Sequence, residues 1–80
     1  METRVAIVAI IVENVDSVSE VNSILHDYSD GIIGRMGIPH YQKNMSIISV
    51  VMDAPHDVIS ALSGKIGRLD GVSTKTLYSK

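Results

Sequence analysis

The chain has no cysteine. That absence excludes disulfides, thiolate catalysis, cysteine-ligated zinc and a self-ligated iron–sulfur cluster. It also lacks any cluster of Lys or Arg. Seven basic residues are scattered among nine acidic ones, for a net charge of −2. Tracking phosphates needs concentrated positive charge, so direct nucleic-acid binding is not expected. The longest apolar run, Val5 to Val12, is far shorter than the ~20 residues of a membrane-crossing helix. Met1-Glu-Thr-Arg4 leads straight into that run and does not resemble a signal peptide, so a cytoplasmic location is expected. No G-x-S-x-G, HExxH, GxGxxG or P-loop pattern occurs. No acid–base set stands out either, and the expectation is a protein that is not an enzyme.

What is present is apolar. Eighty residues make one small domain, 1–80, near the lower limit for a self-sufficient core. Yet 45% of them are hydrophobic, and the mean hydropathy is +0.22. So small a domain leaves apolar groups on its surface, and assembly into a dimer or tetramer is the simplest way to cover them.

Arg4 to Val12 carries apolar residues at both parities (Val5, Ile7, Ala9, Ile11 and Ala6, Val8, Ile10, Val12). This predicts a central strand. Asn14 or Ser17 can then cap a helix, and Ser17-Val-Ser-Glu20 fits a capping box. Val18, Val21, Ile24, Leu25 and Tyr28 form its stripe, and Gly31 stops it.

Gly31-Ile-Ile-Gly-Arg-Met-Gly-Ile-Pro39 reads as a strand with three glycines and one charge. Alternation places Ile32, Gly34, Met36 and Ile38 on one face and Ile33, Arg35 and Gly37 on the other. Glycine inside a strand marks a bulge or a close approach, so Gly34, Arg35 and Gly37 are candidates for a ligand site or an oligomer interface. Arg35 can clamp a carboxylate or phosphate, or it can simply guard an edge strand.

His40 to Asn44 is a hairpin loop, and Met45 to Asp53 is a second strand apolar on both faces. Asp53 is a plausible cap for a second helix with Pro55 in its first turn and Val58, Ile59, Leu62 and Ile66 as its stripe. Asp70-Gly71 is a turn, and Val72 to Tyr78, polar on one side, is an edge strand.

The order is β-α-β-β-α-β, which predicts an α+β, ferredoxin-like fold: a four-stranded antiparallel sheet with both helices on one face. Its strand order (fourth, first, third, second) puts the two doubly apolar strands in the centre. The opposite face then carries apolar residues that this chain cannot cover.

His26, His40 and His56 are candidate metal ligands if an oligomer gathers them, but no two have strong ligand spacing. The opposite reading is three exposed histidines and no metal. Gly64-Lys-Ile-Gly67 has the GxxG spacing of a KH clamp but falls at a helix end in an acidic domain. The four methionines, Met1, Met36, Met45 and Met52, read as adaptable packing.

Gly31-Ile-Ile-Gly-Arg-Met-Gly-Ile-Pro39, Ser46-Ile-Ile-Ser49 and Ile59-Ser-Ala-Leu-Ser-Gly-Lys-Ile-Gly-Arg-Leu-Asp-Gly-Val72 resemble the iron-only hydrogenase system regulator family of small stand-alone ACT-like proteins. The resemblance covers nearly the whole chain. It implies a role near the assembly or control of iron-only hydrogenase. Joined to the uncovered sheet face, the expectation is a non-enzymatic regulatory module, a dimer or tetramer through that face or the sheet edges, that senses a small ligand or docks a hydrogenase maturation protein; no cofactor is specified. The chain is also similar in fold to ACT domains, which bind amino acids beside a glycine-bearing loop after the first strand. Here that loop is Glu13-Asn-Val-Asp16, which lacks the glycine and offers Asn14. The similarity extends to the C-terminal domain of nickel-responsive repressors, whose histidine-plus-cysteine site is not carried over intact. If the chain regulates transcription, the DNA-binding part is expected on another chain.

Overall fold

The computed structural model describes residues 2–80. Its strands are β1 (Arg4–Val12), β2 (Ile32–His40), β3 (Met45–Ala54) and β4 (Val72–Tyr78). The helices are α1 (Val18–Asp27) and α2 (His56–Gly67), and single 3-10 turns occupy Val15–Ser17, Ser29–Gly31 and Tyr41–Lys43. The sheet runs β2-β3-β1-β4 with every neighbouring pair antiparallel. This is the ferredoxin-like order expected from the sequence, with the two doubly apolar strands in the middle.

The core forms between one sheet face and the two helices. Ala6, Val8, Ile10 and Val12 of β1 and Ile48, Val50, Met52 and Ala54 of β3 are buried. They meet Val21 and Leu25 of α1 and Ile59, Leu62 and Ile66 of α2. Each fully buried aliphatic side chain of this size contributes about 1.5–3 kcal/mol relative to leaving it in water. The helical stripes are the ones the spacing predicts, with Val18, Ile24, Tyr28 and Val58 packed half-buried around the rim. Met52 is fully buried, Met45 is half-buried and Met36 is exposed, while Met1 lies outside the described residues.

Several local readings change. The register between β2 and β3 shifts between Ile32 and Gly34, leaving Ile33 as an extra residue. A bulge flips parity. Ile32, paired with Met52, therefore faces the helices together with Arg35 and Gly37, not with Gly34, Met36 and Ile38. The predicted alternation holds only beyond the bulge.

Ser17 does not build a capping box. It sits in helical geometry at the end of its 3-10 turn and makes no side-chain cap bond. Its buried hydroxyl instead donates to the Asp70 carbonyl at 2.7 Å. Asn14 is the cap, accepting from the Asp16 amide through Oδ1 at 3.0 Å. Asp53 does not cap α2 because the β1–β3 ladder continues through Val5↔Asp53 to Arg4↔Ala54, and Pro55 takes the N-cap position. His40 belongs to β2, opposite Met45, and the tight turn between them closes with Asn44 in the left-handed region. Gly31 ends a 3-10 turn one step after α1. A Cβ there would lie 3.1 Å from that of Ala54, so its small size lets the chain pass close to β3.

Candidate functional site

Two surfaces have features the core does not require. The first is the sheet face turned away from the helices. Its β1 positions are Val5, Ile7, Ala9 and Ile11, and the ladder sets Ile47, Val51, Met36, Ile38 and Leu77 on the same side. Met36, Ile38 and Leu77 are 62%, 53% and 70% exposed. Ser49 and Ala9 keep the middle low, while Asp53 and Lys75 supply one charge of each sign towards the margins. Gly34 lies on this face, opposite Val51.

The second surface is a groove of about 230 Å³ between α1 and the β2–β3 hairpin. It exists because of what β2 turns towards α1. Those positions are Arg35, Gly37 and Pro39, paired with Val50, Ile48 and Ser46. A glycine and a proline cannot fill the space between sheet and helix. A Cβ built on Gly37 meets no heavy atom within 4 Å. Val18 and Asn22 of α1 form one wall, Arg35, Gly37, Ile38 and Pro39 the other, and Ser46 and Ile48 the base. A smaller hollow of about 100 Å³ adjoins it, sharing Val18, Pro39 and Ser46 and bounded further by Val12, Val15, His40, Tyr41, Asn44 and Met45.

Among the described residues, Arg35 is the only charged side chain lining the larger groove. Its Nη2 donates to Asn22 Oδ1 at 2.9 Å. The partner is a neutral amide, which occupies one of the guanidinium's five N–H donors without offsetting its charge. With Oδ1 turned to the guanidinium, the Asn22 amide points its Nδ2 donors elsewhere.

The structure brings Arg35 and Gly37 together and separates them from the other two candidates. Gly34 is on the opposite face. Asn14 is engaged at the β4 side of the sheet, where its Nδ2 donates to Asp70 Oδ2 at 2.7 Å. Beside it Glu13 N donates to the Gly71 carbonyl at 2.7 Å. The histidines are dispersed: His26 in the last turn of α1, His40 at the end of β2, and His56 at the start of α2. His56 stacks on Tyr78 with ring centroids 5.0 Å apart, and the Arg4 guanidinium lies 4.5 Å from the centre of that same ring. Among the described residues no group of three or more His, Asp or Glu side chains could hold a metal ion. None of their helices is long and apolar enough to cross a membrane.

Sequence reasoning missed Val18, Asn22, Ser46 and Ile48 as groove residues. Val18 and Ile48 looked like core, and nothing local distinguishes Asn22 from any other exposed helical polar residue.

Comparison with known proteins gives a consistent picture. A family model described as "TM1266-like: Iron-only hydrogenase system regulator, putative" matches residues 4–76. Among solved structures, protein TM1266 from Thermotoga maritima is 40% identical, with a TM-score of 0.94 over 99% of this chain and 100% of that one. CPII from Thiomonas intermedia K12, a nitrogen regulatory PII-like protein solved with ADP, AMP and bicarbonate, covers all of both chains with a TM-score of 0.56. At 10% identity that likeness concerns the fold alone. No curated protein matches the chain.

Proposed function

The chain belongs to the TM1266-like family of iron-only hydrogenase system regulators, and on that premise we propose that it is a non-enzymatic module that senses a small ligand and works as a homo-oligomer. The observation that carries this reading is the uncovered sheet face. A domain this small cannot leave such a continuous apolar surface in water without cost, at about 25 cal/mol for each Å². A second copy is the occupant that fits. Sheets stack face to face about 10 Å apart, and a two-fold contact lays apolar residues over apolar residues. Arg35 and Gly37 stay on the other side of the sheet, free to receive a ligand. The reading assigns no catalytic residue. Regulation then consists of a change in assembly or in partner docking when the groove fills.

Native mass spectrometry tests this, since it reports subunit count and bound mass together. A dimer or tetramer is expected. Ile7→Asp and Ile47→Lys, each placing a charge on the outer face, are expected to shift it to monomer while circular dichroism stays unchanged. A wild-type protein that is monomeric at micromolar concentration would sink the proposal.

A further inference from the structure

We infer that the groove between α1 and β2 binds a small monocarboxylate with an apolar body, its carboxylate held by Arg35. This deepens the ligand-sensing reading above and rests on it. Among the described residues, the groove walls carry a single cation and no carboxylate. A lone guanidinium whose partner is a neutral amide oxygen matches one negative charge, and Arg presents its donors in a fork that fits a planar carboxylate. A phosphate dianion would need more positive charge than the site supplies. Val18, Ile48 and Pro39 give the rest of the groove apolar walls. With a volume of about 230 Å³, the open groove has room for a short branched or aromatic acid.

The same inventory argues against α-amino acids. An ammonium group would find no anionic partner among the described residues that line the groove. The site therefore prefers a deaminated acid to the amino acid with the same side chain. Gly37 makes the space. A Cβ there meets no heavy atom within 4 Å, so a small side chain would grow into that space.

The test is a titration of the intact protein followed by backbone amide NMR, with 4-methylpentanoate as the probe. Leucine, 4-methylpentanamide and inorganic phosphate serve as the discriminating ligands. Saturating shifts at Asn22, Gly37 and Ser46 are expected with 4-methylpentanoate. Binding should weaken by about tenfold or more with the amide, with leucine, or in Arg35→Gln, the size expected for losing one charge-assisted interaction. Gly37→Val should fold as well as wild type and lose the shifts. Equal binding of the amide, leucine or phosphate would overturn the assignment, as would binding that survives Arg35→Gln or shifts confined to other residues. Absence of any shift would overturn it as well. The oligomer measured in the same samples separates the two ideas: an intact oligomer without binding refutes the groove and leaves the assembly standing.

Discussion

The two halves of the fold, β1-α1-β2 and β3-α2-β4, share one plan but are finished differently. In the second half α2 is seated on β4. Ser63 on the helix and Thr74 on the strand lie 3.2 Å apart through their hydroxyls, and Thr74 also donates to the Ser63 carbonyl. Thr76 donates to the Ser63 hydroxyl at 3.3 Å. Val72 is buried, and the ring of His56 lies on Tyr78. In the first half, among the described residues, one exposed side-chain hydrogen bond, from Arg35 to Asn22, joins β2 to α1, with a groove beneath it. The second edge strand presents Val72, Thr74, Thr76 and Tyr78 to the helix side, and the first presents Ile32 and, beyond the bulge, Arg35, Gly37 and Pro39. Residues that would close the sandwich are replaced in one half by residues that hold it open. A duplicated plan with one open copy is how a small fold can keep its stability and still offer a binding site.

The largest effect is expected where the closed half is tied to the β1–α1 loop. Gly71 has φ +70°, and a Cβ there would stand 2.7 Å from Asn14 Cβ and 2.9 Å from the Asn14 amide nitrogen. An L-residue in the left-handed region costs roughly 1–2 kcal/mol, and the backbone clash adds roughly 1–3. Gly71→Val is therefore expected to lose about 3 kcal/mol in urea unfolding. A loss under half of that would mean that the Glu13–Gly71 junction is loose and the closed half less fixed than its contacts imply.

A smaller contrast compares the two halves directly. Thr74→Val keeps the shape of the side chain and removes the hydroxyl that both binds and orients Ser63. It is expected to cost about 1 kcal/mol, the net worth of a part-buried hydrogen bond. Asn22→Ala removes the corresponding contact of the open half. It lies on an exposed helix face, where alanine is the better helix former, so stability should change by no more than about 0.5 kcal/mol. Equal losses from the two substitutions would erase the distinction.

Most of the architecture was legible in the sequence because its signal is local. Two strands apolar at both parities, Arg4 to Val12 and Met45 to Asp53, could only be central, and the polar side of Val72 to Tyr78 marked an edge. Arg35 and Gly37 were legible as unusual for a strand. The features that were not legible depend on contacts distant in the chain. Ser17 followed by Glu20 satisfied a capping pattern, yet the hydroxyl goes to Asp70, 53 positions away. The glycines of that strand signalled a bulge or a close approach, but not that the bulge falls at Ile33, because what selects its position is the pairing of Ile32 with Met52. Asn22 acquires significance only when β2 folds back beside α1. Asn14, read both as a cap and as a site residue, holds the loop together through Asp70.

The smallest expected effect measures how firmly α2 is seated. Gly64 and Gly67 are both exposed residues of that helix, one turn apart, and in an isolated helix each would gain about 0.5–1 kcal/mol on replacement by alanine. At Gly64 the new methyl meets nothing within 4 Å, so Gly64→Ala should be stabilising by about that amount. At Gly67 it would lie 3.0 Å from Thr74 Oγ1, and that hydroxyl is held by Ser63. Thr74 can yield only by weakening those bonds or by lifting the end of α2 off β4. Gly67→Ala should therefore gain nothing, or lose a few tenths of a kcal/mol. Thermal unfolding of the two variants side by side reads the difference. Equal gains would show that the last turn of α2 moves freely over β4, and the closed half would then be closed by its aliphatic core alone.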